Sequence, residues 1–292
     1  MEKKYKLTEE TLEIDGHVLN RIIALRDFGE VKKGDLGGFI EKESNLAHDW
    51  NCWIYNDAVV RGNAMVYGNA MVYGDAKVYG NAMVYGDAMV YGNAMVCGNA
   101  IVCGDAKVYD DAKVYGNAIV CGNAMVYDDA MVCGDAKVYD DAKVYGNAMV
   151  YGDAMVYGNA MVCGDAIVYG DAKVYDDAKV YGNAIVCGNA MVYGNAMVYG
   201  DATVCGEAMI CGDATVCGNA KVEKKSDYIV FKNWWSSGRY FTWTRSNDMW
   251  TVGCFYGTGE ELIKKAYADN EEKGREYERV VKYVESIKSE IK

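Results

Sequence analysis

Eleven cysteines in a chain of 292 residues are the first candidates for chemistry, since thiolates bind zinc, act as nucleophiles and form disulfides. Their spacing points elsewhere. No CxxC pair occurs, and the two histidines, His17 and His48, lie far along the chain from most of the thiols, so a Cys/His zinc constellation is not written here. Nine of the eleven recur at multiples of six residues, in a slot that Tyr fills most often and Arg61 once. A coil of eighteen residues would stack Cys103 on Cys121 and Cys187 on Cys205. Oxidation would cross-link such pairs, but the charged start from Met1 to Lys6 has no apolar signal core and no run of about 18 apolar residues follows. The expectation is a cytoplasmic chain with reduced thiols and no membrane span.

Carboxylates come next. On the same eighteen-residue coil, Asp110 and Asp111 fall above Asp128 and Asp129, four acidic groups at one corner at a spacing of about 5 Å. Calcium takes oxygen ligands of this kind. Asp is equally a preferred turn residue, and lysines flank these pairs in the Lys-Val-Tyr-Asp-Asp-Ala-Lys stretches beginning at Lys107, Lys137 and Lys173. Turn chemistry is therefore the reading adopted, with no metal or other cofactor expected. Elsewhere Asn and Asp alternate along a row, as in Asn159, Asp177, Asn195 and Asp213, which limits stacking of like charges.

The third candidate set is Trp234, Trp235, Arg239, Trp243, Arg245 and Trp250. Trp and Arg dominate binding hot spots, so these six are the candidate recognition surface, with half or more of the rings expected to be core.

The elements that would position these groups follow from a six-residue period, Ala-x-Val-Tyr/Cys-Gly/Asp-Asn/Asp. From Ala58 to Ala220 every sixth residue is Ala, and from Val60 to Val222 every sixth is Val except Ile210; nothing is inserted or deleted. The slot between Ala and Val holds Met 13 times and Lys 8 times out of 28, so it must reach solvent, whereas Ala and Val share a tight interior. Ala-x-Val-Tyr is a short strand with alternate side chains on opposite faces, and Gly/Asp-Asn/Asp is a corner that needs a permissive backbone. A six-residue period signals a β-helix. Three hexads per coil make roughly nine coils and a rod about 45 Å long. Not one Pro occurs in the chain, as suits a backbone whose N–H groups all serve neighbouring coils.

Residues 1–53 precede the full repeat. Ile14-Asp15-Gly16-His17-Val18 reads as a hairpin turn, and Ile40, Leu46 and Cys52 keep the six-residue phase of the alanines, so the coil is expected to begin before its consensus does. Residues 223–292 change character. Tyr228 to Trp235, Tyr240 to Arg245 and Trp250 to Tyr256 read as three antiparallel strands. Thr258-Gly259-Glu260-Glu261 is a capping box opening a helix through about Asn270, and a second helix to Ile291 carries an apolar stripe of Tyr277, Val280, Val281, Val284 and Ile287.

The hexad resembles that of left-handed β-helices, in which an aliphatic residue and, four positions later, a small residue line the core, as Val60 and Ala64 do. The run from Arg21 to Ala58, with its Ala-Leu-Arg-Asp-Phe-Gly-Glu-Val-Lys-Lys-Gly-Asp-Leu-Gly-Gly-Phe core and Asn51-Cys52-Trp53-Ile54-Tyr55, resembles the amino-terminal region of YdcK-like hexapeptide-repeat proteins of bacteria and phages. The resemblance implies a mainly β fold: a single-stranded left-handed parallel β-helix over 54–222, with an N-terminal cap (1–53) and a small C-terminal α+β domain (223–292). Members are often labelled transferases because left-handed β-helix acyltransferases share the repeat, and fold alone says little about activity.

Three functions compete. An acyltransferase of this kind would need a general base, usually His, beside a groove, and the repeat contains no His. An acidic nucleic-acid mimic, inhibiting a DNA-acting or defence enzyme, would need regular acidic rows. Between Asp57 and Val222 there are 19 acidic and 9 basic residues, a net of -10 (9 minus 19), but lysines interrupt the rows. The formal charge of -12 for the whole chain excludes a nucleic-acid binder that works by neutralising phosphates. The preferred reading is a non-enzymatic interaction protein, a stiff rod presenting a tryptophan-rich end to a protein partner or to another copy of itself. Its Met, Ile, Tyr and Cys exterior either meets such a partner or is shielded by tyrosines stacking within the monomer.

Overall fold

In most hexads the x and Val residues form a two-residue strand, and the corner takes the rest. The structure, a computed structural model, describes residues 2–234 and 237–290. From Trp53–Ile54 to Lys221–Val222 the chain forms a succession of short strands, nearly all of two residues. Each pairs in parallel with the strand eighteen residues on, as Met89 with Lys107 and Val90 with Val108. Three faces result, in sheets of 13, 10 and 9 strands. The ladder is continuous: Met89 N–H donates to Ala106 O at 2.9 Å and Tyr91 N–H to Val108 O at 3.0 Å. The Val and Ala rows fill the interior with no exposed area from Ala64 to Val216, and this burial, repeated at each level, is what holds the stack together.

The ten-stranded face gives ten levels, one more than the repeat count suggests, because the coil does begin before its consensus. Its phase differs from the expectation at two of the three early residues. Phe39 and Ile40 pair with Val59 and Val60, and Leu46 bridges to Val66, so Ile40 and Leu46 lie in the valine row, twenty residues below their partners. Cys52 keeps the alanine phase, since Trp53 and Ile54 pair with Met71 and Val72. The slip comes from two extra residues, His48 and Asp49, between Ala47 and Trp50. Trp50 takes the left-handed corner position with φ 57 and is 72% exposed.

At the corners, φ is positive at every repeat Gly. At Gly86 (φ 75) a Cβ would lie 2.9 Å from Gly104 N and 3.0 Å from Gly104 O, so the next coil leaves no room for one without adjustment. Asp110, Asp128, Asp140 and Asp176 hold the same conformation, with φ from 57 to 59. Three of them gain a contact: Asp128, Asp140 and Asp176 accept hydrogen bonds from the N–H groups of Gly146, Gly158 and Gly194, one coil on, at 3.1 to 3.3 Å.

The amino-terminal strands β1 (Tyr5–Ile14) and β2 (His17–Ala24) form a hairpin through Asp15 and Gly16, both at positive φ. β2 pairs antiparallel with β3 (Leu36–Ile40), which starts the parallel ladder. At the other end the strands Tyr228–Lys232, Tyr240–Thr244, Met249–Val252 and Phe255–Gly257 make one antiparallel sheet. The stretch expected as a single strand from Trp250 to Tyr256 is two, folded back at Gly253, whose φ of 59 an extended strand cannot accommodate. Helices α1 (Gly259–Asp269) and α2 (Glu271–Ile287) follow. Thr258 Oγ1 accepts from Glu261 N–H at 3.2 Å while Glu261 accepts from Thr258 N–H at 2.9 Å, which is the expected capping box. From the stripe on α2, Tyr277, Val281 and Val284 are buried, packed with Phe241, Trp243, Trp250 and Val252 of the sheet. Among the described residues no helix is long and apolar enough to cross a membrane.

Candidate functional site

The residue types that could do chemistry fall mostly on rows that run the length of the rod. In the tyrosine slot the rings stack on one another: Tyr73, Tyr91, Tyr109, Tyr127 and Tyr145 lie face to face with centroids 4.8 to 4.9 Å apart. Tyr139, Tyr157, Tyr175 and Tyr193 do the same on another face. The tyrosines thus shield one another within the monomer. Cysteines interrupt these columns as free thiols. Burial, and then the neighbouring Cys103 thiol, push Cys121 up to about 11, and burial likewise raises Cys205. A nucleophilic or metal-binding thiol needs the opposite shift.

The corner carboxylates are occupied with their neighbours. Asp111 accepts from Asn93 Nδ2 at 3.1 Å, and Asp128 caps Gly146 as described. Asp110 and Asp129, the other two of the four stacked acids, have no resolved role beyond the turn. Among the described residues no group of three or more His, Cys, Asp and Glu gathers as a metal site. Along the Asn/Asp rows most amides hand a hydrogen bond to the next coil. Asn63, Asn81, Asn99, Asn117 and Asp135 form one unbroken chain at 2.9 to 3.1 Å, and Asn159 donates to Asp177 at 3.0 Å. Interleaving therefore does more than dilute charge: Asn supplies the donor that a carboxylate lacks.

Both histidines are built into the amino-terminal cap. His17 Nδ1 lies 2.9 Å from Glu41 Oε1, and Glu41 also accepts from Gly62 N–H at 2.5 Å; the His17 contact, then the Gly62 bond, hold that carboxyl below its ordinary range. His48 stacks on Tyr5 at 4.4 Å and accepts the Lys4 N–H at 3.2 Å, and burial lowers its pKa. Sequence reasoning missed Lys4 altogether. Its side chain is fully buried and bonds to Cys52, a contact that no local pattern announces.

The five described residues of the expected recognition surface do not form one surface. Trp243 and Trp250 face each other across neighbouring strands and are 2% and 1% exposed, so they are core and cannot meet a partner. The reason is register: both lie on the sheet face that α1 and α2 cover. Trp243 Nε1 donates to Asp248 at 2.7 Å. Trp234 is 74% exposed, with Lys232 Nζ 4.1 Å from its ring centroid and 4.2 Å from that of Tyr240. Arg239 and Arg245 are exposed, and Trp235 lies outside the described residues.

The terminal domain has a second role that the sequence did not announce. It closes the rod, supplying acceptors where the next coil is missing. Thr215 N–H donates to Thr242 Oγ1 at 2.9 Å, and Lys221 N–H to Ser246 Oγ at 2.6 Å. Tyr228 donates its hydroxyl to Met209 O at 2.7 Å. Cys217 Sγ, the last thiol of its column, lies buried 3.2 Å from Thr251 Oγ1.

The repeat signature of the YdcK β-solenoid matches this rod six times, at residues 76–91, 88–104, 142–158, 154–170, 186–199 and 190–206. The rod is a YdcK-like β-solenoid. A curated protein of Escherichia coli (strain K12), named uncharacterized acetyltransferase YdcK, is 40% identical over 76 residues. That similarity covers 21% of this chain and 23% of the E. coli protein, so the chain spans about a quarter of its curated relative. What the chain shares with that relative is a stretch of sequence, and the activity in the relative's name belongs to the relative.

Proposed function

We propose that this chain is a non-enzymatic spacer of the cytoplasm, a stiff β-helical rod that presents its terminal α+β domain to a protein partner or to a second copy of itself. The uniformity of the coils supports this reading most directly. An active site needs a place where one level differs from the next, and from Ala64 to Val216 each level repeats an Ala/Val core, with Ile210 the one exception, a parallel ladder and a left-handed corner at Gly or Asp. The raised thiol of Cys121 and the two cap-bound histidines fit the same picture.

Deletion of Gly146 to Cys163 tests it. Removing one whole coil should leave a folded, shortened rod that binds its partner as before, because Tyr145 then runs into Gly164 in unchanged register. Removing only Gly146 to Tyr151 keeps the hexad but turns the terminal domain onto the next face of the rod. Loss of folding in the eighteen-residue deletion would sink the proposal. A second reading, acyl transfer, is favoured by the name of the E. coli relative alone. Saturable binding of acetyl-CoA in equilibrium dialysis would replace the spacer with it.

A further inference from the structure

We infer that the cleft between the Gly253 hairpin and the two helices of the terminal domain is a binding site for a small oxyanion, a phosphate or carboxylate group. The cavity has a volume of about 430 Å³ and receives Arg239, Lys265 and Lys273. These cations come from three separate segments: the approach to strand Tyr240–Thr244, α1 and α2. One carboxylate, Asp269, lies among them and is contacted by Lys273. Neither Arg239 nor Lys265 forms an ion pair among the described residues. Three cations against one anion leave an excess of positive charge on a chain whose formal charge is -12. The side chains are also held in place. Lys265 Nζ sits 5.5 Å from the Phe255 ring centroid and Lys273 Nζ 5.6 Å from that of Tyr277, within cation–π range. The Arg239 stem lies against Gly253, where a Cβ would be 3.7 Å from its Cδ.

The Lys273 contact, with Arg239 and Lys265 adding to it, also holds the Asp269 carboxyl below its ordinary range. A guanidinium and an ammonium left over beside a satisfied ion pair suit an incoming oxyanion, which both can meet with charge-assisted hydrogen bonds. The site belongs to the terminal domain alone, so this inference and the spacer proposal fail separately.

The test uses the full chain, with inorganic phosphate in one arm and a tri-glutamate peptide in the other, at ionic strength fixed with potassium chloride. Calorimetry measures binding. Cys254 supplies a second readout, because it lies on the cavity wall and alone of the eleven cysteines is exposed. Binding of either probe should slow its alkylation by a maleimide. The double variant Arg239→Gln/Lys265→Gln removes two exposed side chains and should weaken binding on the order of tenfold or more. Lys264→Gln, on α1 but outside this cavity, should leave it unchanged. The arm that binds identifies the source of the oxyanion. Binding by neither probe, or equal binding by wild type and double variant, would overturn the inference.

Discussion

Lys4 Nζ donates to the carbonyl oxygen of Cys52 at 2.8 Å and lies 3.2 Å from Cys52 Sγ, with both residues fully buried. This contact fastens the first strand of the chain to the first coil of the rod across 48 residues of sequence. Burial holds the Lys4 ammonium below its usual pKa and raises that of the Cys52 thiol. Lys4→Ala would orphan a buried carbonyl and empty the space of the stem, a loss of about 1 to 3 kcal/mol. Lys4→Met keeps the stem and removes the cost of burying a cation, so its loss should be smaller. Denaturant midpoints of the two variants compare them, and a larger loss in Lys4→Met would refute this account.

The tyrosine columns give the rod an alkaline limit. Burial, and then Tyr109 and Tyr73 on either side, push Tyr91 up to about 12, against about 10 in an unfolded chain. The folded state therefore keeps protons that the unfolded state sheds. Stability is fully present below pH 10 and is lost as pH rises from there toward 12. A titration of the folded protein followed by tyrosinate absorbance should show the columns ionising well above 10. Ordinary ionisation near 10 with the rod still folded would contradict the burial described here.

Corner geometry predicts an inverted substitution scale. At Gly86, Ala must adopt positive φ and bring its Cβ against Gly104, a strain of about 1 to 3 kcal/mol. Asp should cost less, since Asp128, Asp140 and Asp176 hold this conformation and bond to the next coil. Thermal unfolding of Gly86→Ala and Gly86→Asp ranks them, and the idea fails if the alanine variant is the more stable.

Closure of the rod predicts a change in association. Thr242→Val preserves shape but leaves Thr215 N–H without its acceptor, at a cost of about 1 to 3 kcal/mol. Loosening the domain exposes the last strand edge, which pairs readily with other chains. Light scattering should then detect end-to-end species absent from the wild type. A variant that stays at wild-type mass at every concentration would show that Thr242 does not guard the edge.

The amino-acid sequence by itself determined the coil, its interior of Val60, Ala64 and their successors, the three faces, and which side chains stack. Inside a repeat every neighbour lies eighteen residues away, so Tyr91 meets Tyr109 by arithmetic alone. The hairpin at Asp15-Gly16 and the capping box at Thr258 were legible too, because each is a local bargain between backbone and nearby side chains. Tertiary structure decided the ends. The slip at His48-Asp49, the burial of Lys4, the retreat of Trp243 and Trp250 into the core and the meeting of Arg239 with Lys265 and Lys273 all depend on segments unrelated in spacing. No period relates those segments, so only the packed chain brings them together.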